Sequence, residues 1–68
     1  MTILEQMKNA IGKKIRVTTK DGEKVEGTGW YVEDHIDNPK DEYALIIVCA
    51  PREYDGFNES EINTIEVL

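Results

Sequence analysis

The chain opens with apolar positions three and four residues apart, the spacing of one face of an amphipathic helix: Ile3, Leu4, Met7, Ala10 and Ile11. Thr2 is placed to cap the N-terminus, Glu5 completes a capping box, and Gly12 stands where a helix stops. The pattern predicts a helix from residue 1 or 2 to about residue 11. Because so short a helix is marginal in water, its apolar face must pack on another part of the chain.

From residue 14 the apolar period changes to two, which predicts a half-buried strand with one face formed by Ile15, Val17 and Thr19. Asp21 and Gly22 then supply a tight hairpin turn, and a second strand runs from residue 24 to about residue 32. Gly27 and Gly29 lie inside that strand. Glycines there indicate a bend, a bulge or a close approach of another backbone segment.

The second half begins with a polar connection at residues 33–41, whose Asn38 and Pro39 favour a turn. Residues 42–50 are apolar on both faces and rich in β-branched side chains, which favours a central strand, although periodicity alone also fits a buried helix. Pro51 ends this segment.

Residues 52–60 are interpreted as a loop containing a turn at Asp55 and Gly56. A last β segment at residues 62–68 follows, with a break near residues 63–64. One helix and about five short strands predict a mostly β fold in a single domain, residues 1–68. We expect a small, strongly bent antiparallel barrel of the SH3-like kind with an N-terminal α-helix.

Composition adds an expectation of self-association. A chain of 68 residues buries only about 60% of the surface that its unfolded form exposes, so its stability is marginal. One cysteine allows no internal disulfide, and no cluster of Cys and His suggests a zinc site. We therefore predict a homo-oligomer with no metal and no cofactor.

Charge is distributed unevenly along the chain, whose net charge is −6. Residues 1–24 carry six basic and three acidic side chains, whereas residues 25–68 carry two basic and eleven acidic ones. The acidic total argues against a large phosphate-binding surface but leaves room for a small basic patch. Opposite poles could also steer copies of the chain together.

The segment at residues 11–27 resembles the first signature of the Sm and Sm-like (LSm) family. It combines a glycine before the first strand, the Asp21 and Gly22 hairpin and a further glycine at position 27, after an N-terminal helix. The resemblance covers mainly residues 3–31 and more weakly residues 57–68. It implies a five-stranded, strongly bent barrel whose outer strands pair between subunits to make a ring that binds single-stranded RNA.

The resemblance also implies a base-binding loop after the second strand, with an Asp-x-x-x-Asn spacing that Asp34 and Asn38 match one residue out of register. The family's second base-binding element, an Arg-Gly or Lys-Gly step before the last strands, has no counterpart in residues 57–62.

The leading hypothesis is a non-catalytic binding or assembly module that self-associates through exposed strand edges, with residues 42–50 and 62–68 as the candidate edges. One alternative is single-stranded RNA binding, with Trp30 or His35 against a base and phosphates held by Lys13, Lys14, Arg16 and Lys20. Another is an SH3-like peptide-binding module whose groove is lined by Trp30, Tyr31, Tyr54 and Phe57.

Each candidate residue also has a simpler interpretation. Trp30 can pack in the core or at a barrel end, and His35 can belong to a solvated acidic loop rather than to a weak metal site. Cys49 is interpreted as a small buried apolar residue. No nucleophile and base are paired by spacing, so we expect no enzyme. The longest apolar run, residues 43–50, is too short to span a bilayer, and without a signal-like N-terminus we expect a cytoplasmic protein.

Overall fold

A computed structural model describes residues 2–68, so the first residue of the predicted helix lies outside the described part. A helix, α1 (Ile3–Asn9), precedes five strands: β1 (Lys14–Thr19), β2 (Lys24–Glu33), β3 (Ala44–Ala50), β4 (Glu53–Asn58) and β5 (Ile62–Val67). Two 3₁₀ turns, His35–Asp37 and Glu59–Glu61, precede β3 and β5. The fold is therefore mostly β with one helix, as the periodicity predicts.

All five strands belong to one antiparallel sheet with the order β4-β3-β2-β1-β5. Strands β4 and β5 are its two edges. Within residues 2–68 no strand pairing joins β4 to β5, so the sheet is open and the expected closure into a barrel is not seen.

The helix begins as the sequence predicts. The Thr2 hydroxyl accepts the Glu5 backbone N–H at 3.2 Å, and the Glu5 carboxylate accepts the Thr2 N–H, also at 3.2 Å. The Thr2 backbone N–H and the Thr2 hydroxyl both donate to the Glu5 carboxylate, which stabilises its charged form and lowers the pKa of Glu5. The helix ends at Asn9, two residues earlier than predicted, because Ile11 leaves it to bridge to Gly29 of β2.

The core lies between α1 and one face of the sheet, the inner face. Fully or almost fully buried side chains come from the helix and from four strands: Met7, Ala10, Ile15, Val17, Leu45, Ile47, Phe57 and Ile62. The alternation of β1 is as predicted, since Ile15, Val17 and Thr19 are all buried. The helix packs against β2 and β5, and we call the opposite face of the sheet the outer face.

The two glycines of β2 mark close approaches, as the sequence predicts. A Cβ atom on Gly29 would collide with the backbone carbonyl group of Ala10, and one on Gly27 would lie 2.6 Å from the Val48 carbonyl oxygen. Gly12 donates its N–H to the Gly29 carbonyl at 2.8 Å. The missing side chains thus let the chain that leaves the helix lie directly on β2.

Two interpretations of the second half need correction. Residues 44–50 are a strand, as favoured, but β3 lies between β2 and β4 and is not an edge. The predicted loop at residues 52–60 instead holds β4, the true edge, which folds back on β3 through a turn in which Arg52 has φ 65°. A non-glycine residue in this left-handed region gives no turn signal in the sequence.

Strand β5 confirms the predicted break. Thr18 pairs with Thr64 while Thr19 pairs with Ile62, which leaves Asn63 as an extra residue. This β-bulge lets Ile62 reach the core.

Candidate functional site

Three aromatic side chains form a cluster on the outer face of the sheet. The rings of Trp30 and Tyr54 are stacked, with centroids 4.9 Å apart and an interplanar angle of 29°. Tyr31 meets Trp30 edge to face at 4.8 Å and 79°. The side chains are 51%, 56% and 42% exposed for Trp30, Tyr54 and Tyr31. We call Trp30, Tyr31 and Tyr54 the aromatic cluster.

A β-bulge creates the cluster. Gly29 pairs with Ile47 and Tyr31 pairs with Ile46, so Trp30 is an extra residue without a partner on β3. A bulge re-aims the local side chains, which here places two consecutive rings in contact on one face. Tyr54 pairs with Val48 of β3, and Val48 alternates with Ile47, which is buried on the inner face. Val48 and Tyr54 therefore project from the outer face.

The connection between β2 and β3 has its own hydrogen-bond network. Asn38 is almost completely buried and donates its side-chain N–H to Asn58 Oδ1 at 2.6 Å. The Glu42 carboxylate accepts the Ser60 backbone N–H at 2.8 Å and its hydroxyl at 3.0 Å, and these bonds lower the pKa of Glu42. The loop is thereby tied to the segment that follows β4.

The Asp34 side chain caps the 3₁₀ turn by accepting the Ile36 N–H at 3.1 Å. His35 places Nδ1 3.0 Å from Asp41 Oδ1 and packs its ring against Tyr43. Within residues 2–68 no ring contact joins His35 to the aromatic cluster. The structure therefore brings Asp34, His35 and Asn38 into one loop. The ring neighbours of Trp30 are instead Tyr31 and Tyr54.

Of the predicted phosphate-binding residues, Lys14 and Arg16 lie on β1, and Lys13 and Lys20 lie directly before and after it. Lys14 is exposed. Arg16 is engaged by two carboxylates, with its Nη2 2.9 Å from Glu26 Oε2 and its Nη1 3.8 Å from Glu66 Oε2. Glu26 and Glu66 are the cross-strand partners of Arg16 on β2 and β5. Two acidic neighbours thus reduce the positive potential that Arg16 offers to an anion.

The backbone of β5 presents hydrogen-bonding groups to one side. Leu68 donates its N–H to the Lys14 carbonyl at 2.9 Å. Because bonded and non-bonded residues alternate in an antiparallel pair, the N–H and C=O groups of Ile65 and Val67 point away from β1. On the other edge, Glu59 donates its N–H to the Tyr43 carbonyl at 3.0 Å. By the same alternation, the backbone N–H and C=O groups of Tyr54 and Gly56 point away from β3.

A shallow groove of about 280 Å³ runs between the helix and β5, next to this edge. Its lining is Gln6, Asn9, Lys13, Ile65 and Val67. Val67 is 61% exposed, although its cross-strand partner on β1, Ile15, is fully buried. The β5 edge therefore combines outward backbone groups, exposed apolar side chains and one cation.

The prediction that Cys49 is buried is wrong. It is exposed rather than buried, because the register between β3 and β4 shifts at this residue and leaves it unpaired between Val48 and Ala50. Partial burial and then the nearby charges of Asp55 and Glu53 raise the pKa of the thiol. A thiol with a raised pKa is a poor nucleophile at neutral pH.

Within residues 2–68 no group of three or more His, Cys, Asp and Glu side chains is arranged to hold a metal ion. None of the helices in this part of the chain is long and apolar enough to cross a membrane. Comparison with family models, with curated proteins and with solved structures found no match to this chain.

Of the four aromatic residues that the sequence places in one groove, Trp30, Tyr31 and Tyr54 lie together and Phe57 does not. Tyr54 was expected in a loop and lies on β4, and Phe57, expected beside it, is buried in the core. An alternating pattern could have placed Tyr54 and Phe57 on opposite faces, because they are three residues apart. That signal was masked by Asp55 and Gly56 between them, which are typical of turns.

The single histidine gives a pH-dependent prediction. The Asp41 carboxylate accepts a hydrogen bond from His35 Nδ1, which together with the charge of Asp34 raises the pKa of His35. The resulting stabilisation is present below the unfolded pKa of about 6.5 and is lost as pH rises through the higher folded value. An NMR titration of His35 should give a raised midpoint that Asp41→Asn lowers. Asp37→Asn is the control and should leave the midpoint unchanged, whereas equal effects would contradict the assignment to Asp41.

Proposed function

We propose that this chain is a non-catalytic assembly module of the Sm-like, SH3-type barrel class, in which β4 of one copy pairs with β5 of the next. The proposal is carried by the two open edges, each with outward-facing backbone groups, at opposite ends of one sheet. A short, uncovered edge is a template for another strand, and pairing it with a second copy satisfies its N–H and C=O groups.

Charge favours the pairing of unlike edges over like edges. Strand β4 carries Glu53 and Asp55, whereas the carboxylate of β5, Glu66, lies 3.8 Å from Arg16 Nη1 and the groove beside β5 contains Lys13. A β4-to-β4 contact would bring carboxylates together, whereas a β4-to-β5 contact brings them toward a lysine. Head-to-tail contacts of this kind generate rings when the rotation between copies closes.

The first test blocks the β5 edge. Val67→Pro removes an outward N–H without removing the Leu68 N–H that bonds β1, and Val67→Ala removes a similar side chain while keeping the edge donor. At tens of micromolar, we expect sedimentation analysis to give a multiple of 7.8 kDa for the natural chain and for Val67→Ala. Val67→Pro should sediment as the monomer.

A second variant separates unlike-edge from like-edge pairing. Gly56→Pro blocks the outward N–H of β4, so it should also be monomeric alone. Mixing it with Val67→Pro supplies one open β4 and one open β5 edge, and we expect heterodimers of twice the monomer mass. A strictly monomeric natural chain, or a Val67→Pro variant that still assembles, would contradict the proposal.

RNA binding receives less support, because Arg16 is paired with Glu26 and Asn38 is bonded to Asn58. It predicts salt-sensitive binding of short U- or A-rich strands. Peptide binding is the second candidate function, and the exposed aromatic cluster favours it.

A further inference from the structure

The aromatic cluster is an exposed and preorganised surface. Its three rings each keep about half of their side-chain area in contact with solvent, yet each ring is held by another ring. Mutual stacking limits the rotamers of large side chains, so a ligand that binds there pays little to order them. Contiguous exposed aromatic rings of this kind are enriched at interaction sites.

The charges around the cluster are negative. Glu33 lies on the outer face of β2 two positions after Tyr31, and Glu53 and Asp55 are the chain neighbours of Tyr54, with side chains that alternate to the other face of β4. Residues 25–68, which contain the whole cluster, hold only two basic side chains against eleven acidic ones.

We propose that the aromatic cluster binds an arginine side chain presented by an extended, basic segment of a partner protein. Aromatic faces attract cations, and a guanidinium is planar, weakly hydrated and able to stack on a ring. A lysine ammonium is more strongly hydrated, so it should bind less well. A phosphate backbone would be repelled by the same carboxylates, which disfavours a nucleic acid ligand here.

This site does not depend on the proposed assembly. The cluster lies on the outer face of the sheet, whereas assembly uses the backbone edges of β4 and β5. A monomeric Val67→Pro chain should therefore bind the same ligand, and this variant separates failure of the binding proposal from failure of the assembly proposal.

The chain contains one tryptophan, so its fluorescence reports on the cluster alone. The probe is a seven-residue peptide of alternating threonine and arginine, titrated into the natural chain and into Val67→Pro. We expect a saturable change in Trp30 fluorescence in both, and weaker binding at about 0.5 M salt because the charges are screened. Replacing arginine by its neutral isostere citrulline should abolish binding, and replacing it by lysine should weaken it.

Protein variants then locate the site. Tyr54→Ala should weaken binding of the arginine peptide about tenfold, while Tyr54→Phe, which keeps the ring, should leave it unchanged. Ile36→Ala is the matched control, because Ile36 is also exposed but lies on the 3₁₀ turn away from the cluster. Circular dichroism checks that each variant is folded.

Three results would overturn the proposal. The first is equal binding of the arginine and citrulline peptides, a comparison that needs no protein variant. The second is a Tyr54→Ala chain that is folded and binds normally. The third is a U-rich single strand that changes Trp30 fluorescence more strongly than the peptide at the same concentration, which would make the cluster a base-stacking surface instead.

Discussion

Replacing Gly29 with alanine is expected to lower the free energy of unfolding by about 3 kcal/mol. That is a large share of the total unfolding free energy of so short a chain. The new Cβ would collide with the Ala10 carbonyl, which is backbone and is fixed by its own bond to the Lys13 N–H at 3.1 Å. Relief requires the chain after the helix to move off β2, which would break the hydrogen bond between Gly12 and Gly29.

Gly56→Ala is the matched control for this variant. Its Cβ would lie 3.0 Å from Ile46 Cδ1, the end of a flexible side chain that can rotate away. We expect a change within about 0.5 kcal/mol. Urea unfolding, followed by Trp30 fluorescence and circular dichroism at one fixed protein concentration, measures both, because assembly would otherwise shift the apparent stability. Similar losses for the two variants would contradict the close packing of the helix exit on β2.

The parts of the fold that the sequence predicts well are those set by local interactions. The capping box at Thr2 and Glu5, the alternation of β1 and the turn at Gly22, where φ is +90°, each depend on residues within a few positions of one another. Gly27 and Gly29 were also informative, because a glycine inside a strand has few explanations other than a bend or a close approach.

Strand β4 could not be predicted because its signals depend on distant residues or conflict with local ones. Its turn uses a left-handed Arg52, and the Asp55 and Gly56 pair that suggested a loop lies inside the strand. Consequently the local sequence pattern does not predict the sheet order or the correct edge strand. The sequence groups Trp30, Tyr31, Tyr54 and Phe57 in one groove, but only the strand pairing shows that Trp30 stacks on Tyr54 across β3 while Phe57 faces the core.

Two aromatic residues on β4 should separate stability from binding. Phe57 is 6% exposed and packs in the core opposite Leu45, so Phe57→Ala should cost about 3–4 kcal/mol of unfolding free energy, through lost burial and the cavity left behind. Tyr54 projects from the other face, and Tyr54→Ala should cost about 1 kcal/mol, the value of one aromatic pair. Urea unfolding of the two variants in the Val67→Pro chain, which we expect to be monomeric, gives this comparison without a contribution from assembly.

Binding of the arginine peptide should show the reverse order. Phe57→Leu keeps most of the buried volume and does not touch the cluster, so it should remain folded and bind normally while losing some stability. Tyr54→Ala should remain folded and bind poorly. If both variants instead lost stability and affinity in proportion, the weakened binding would reflect unfolding of β4, and the cluster would be a packing feature of the sheet rather than a recognition surface.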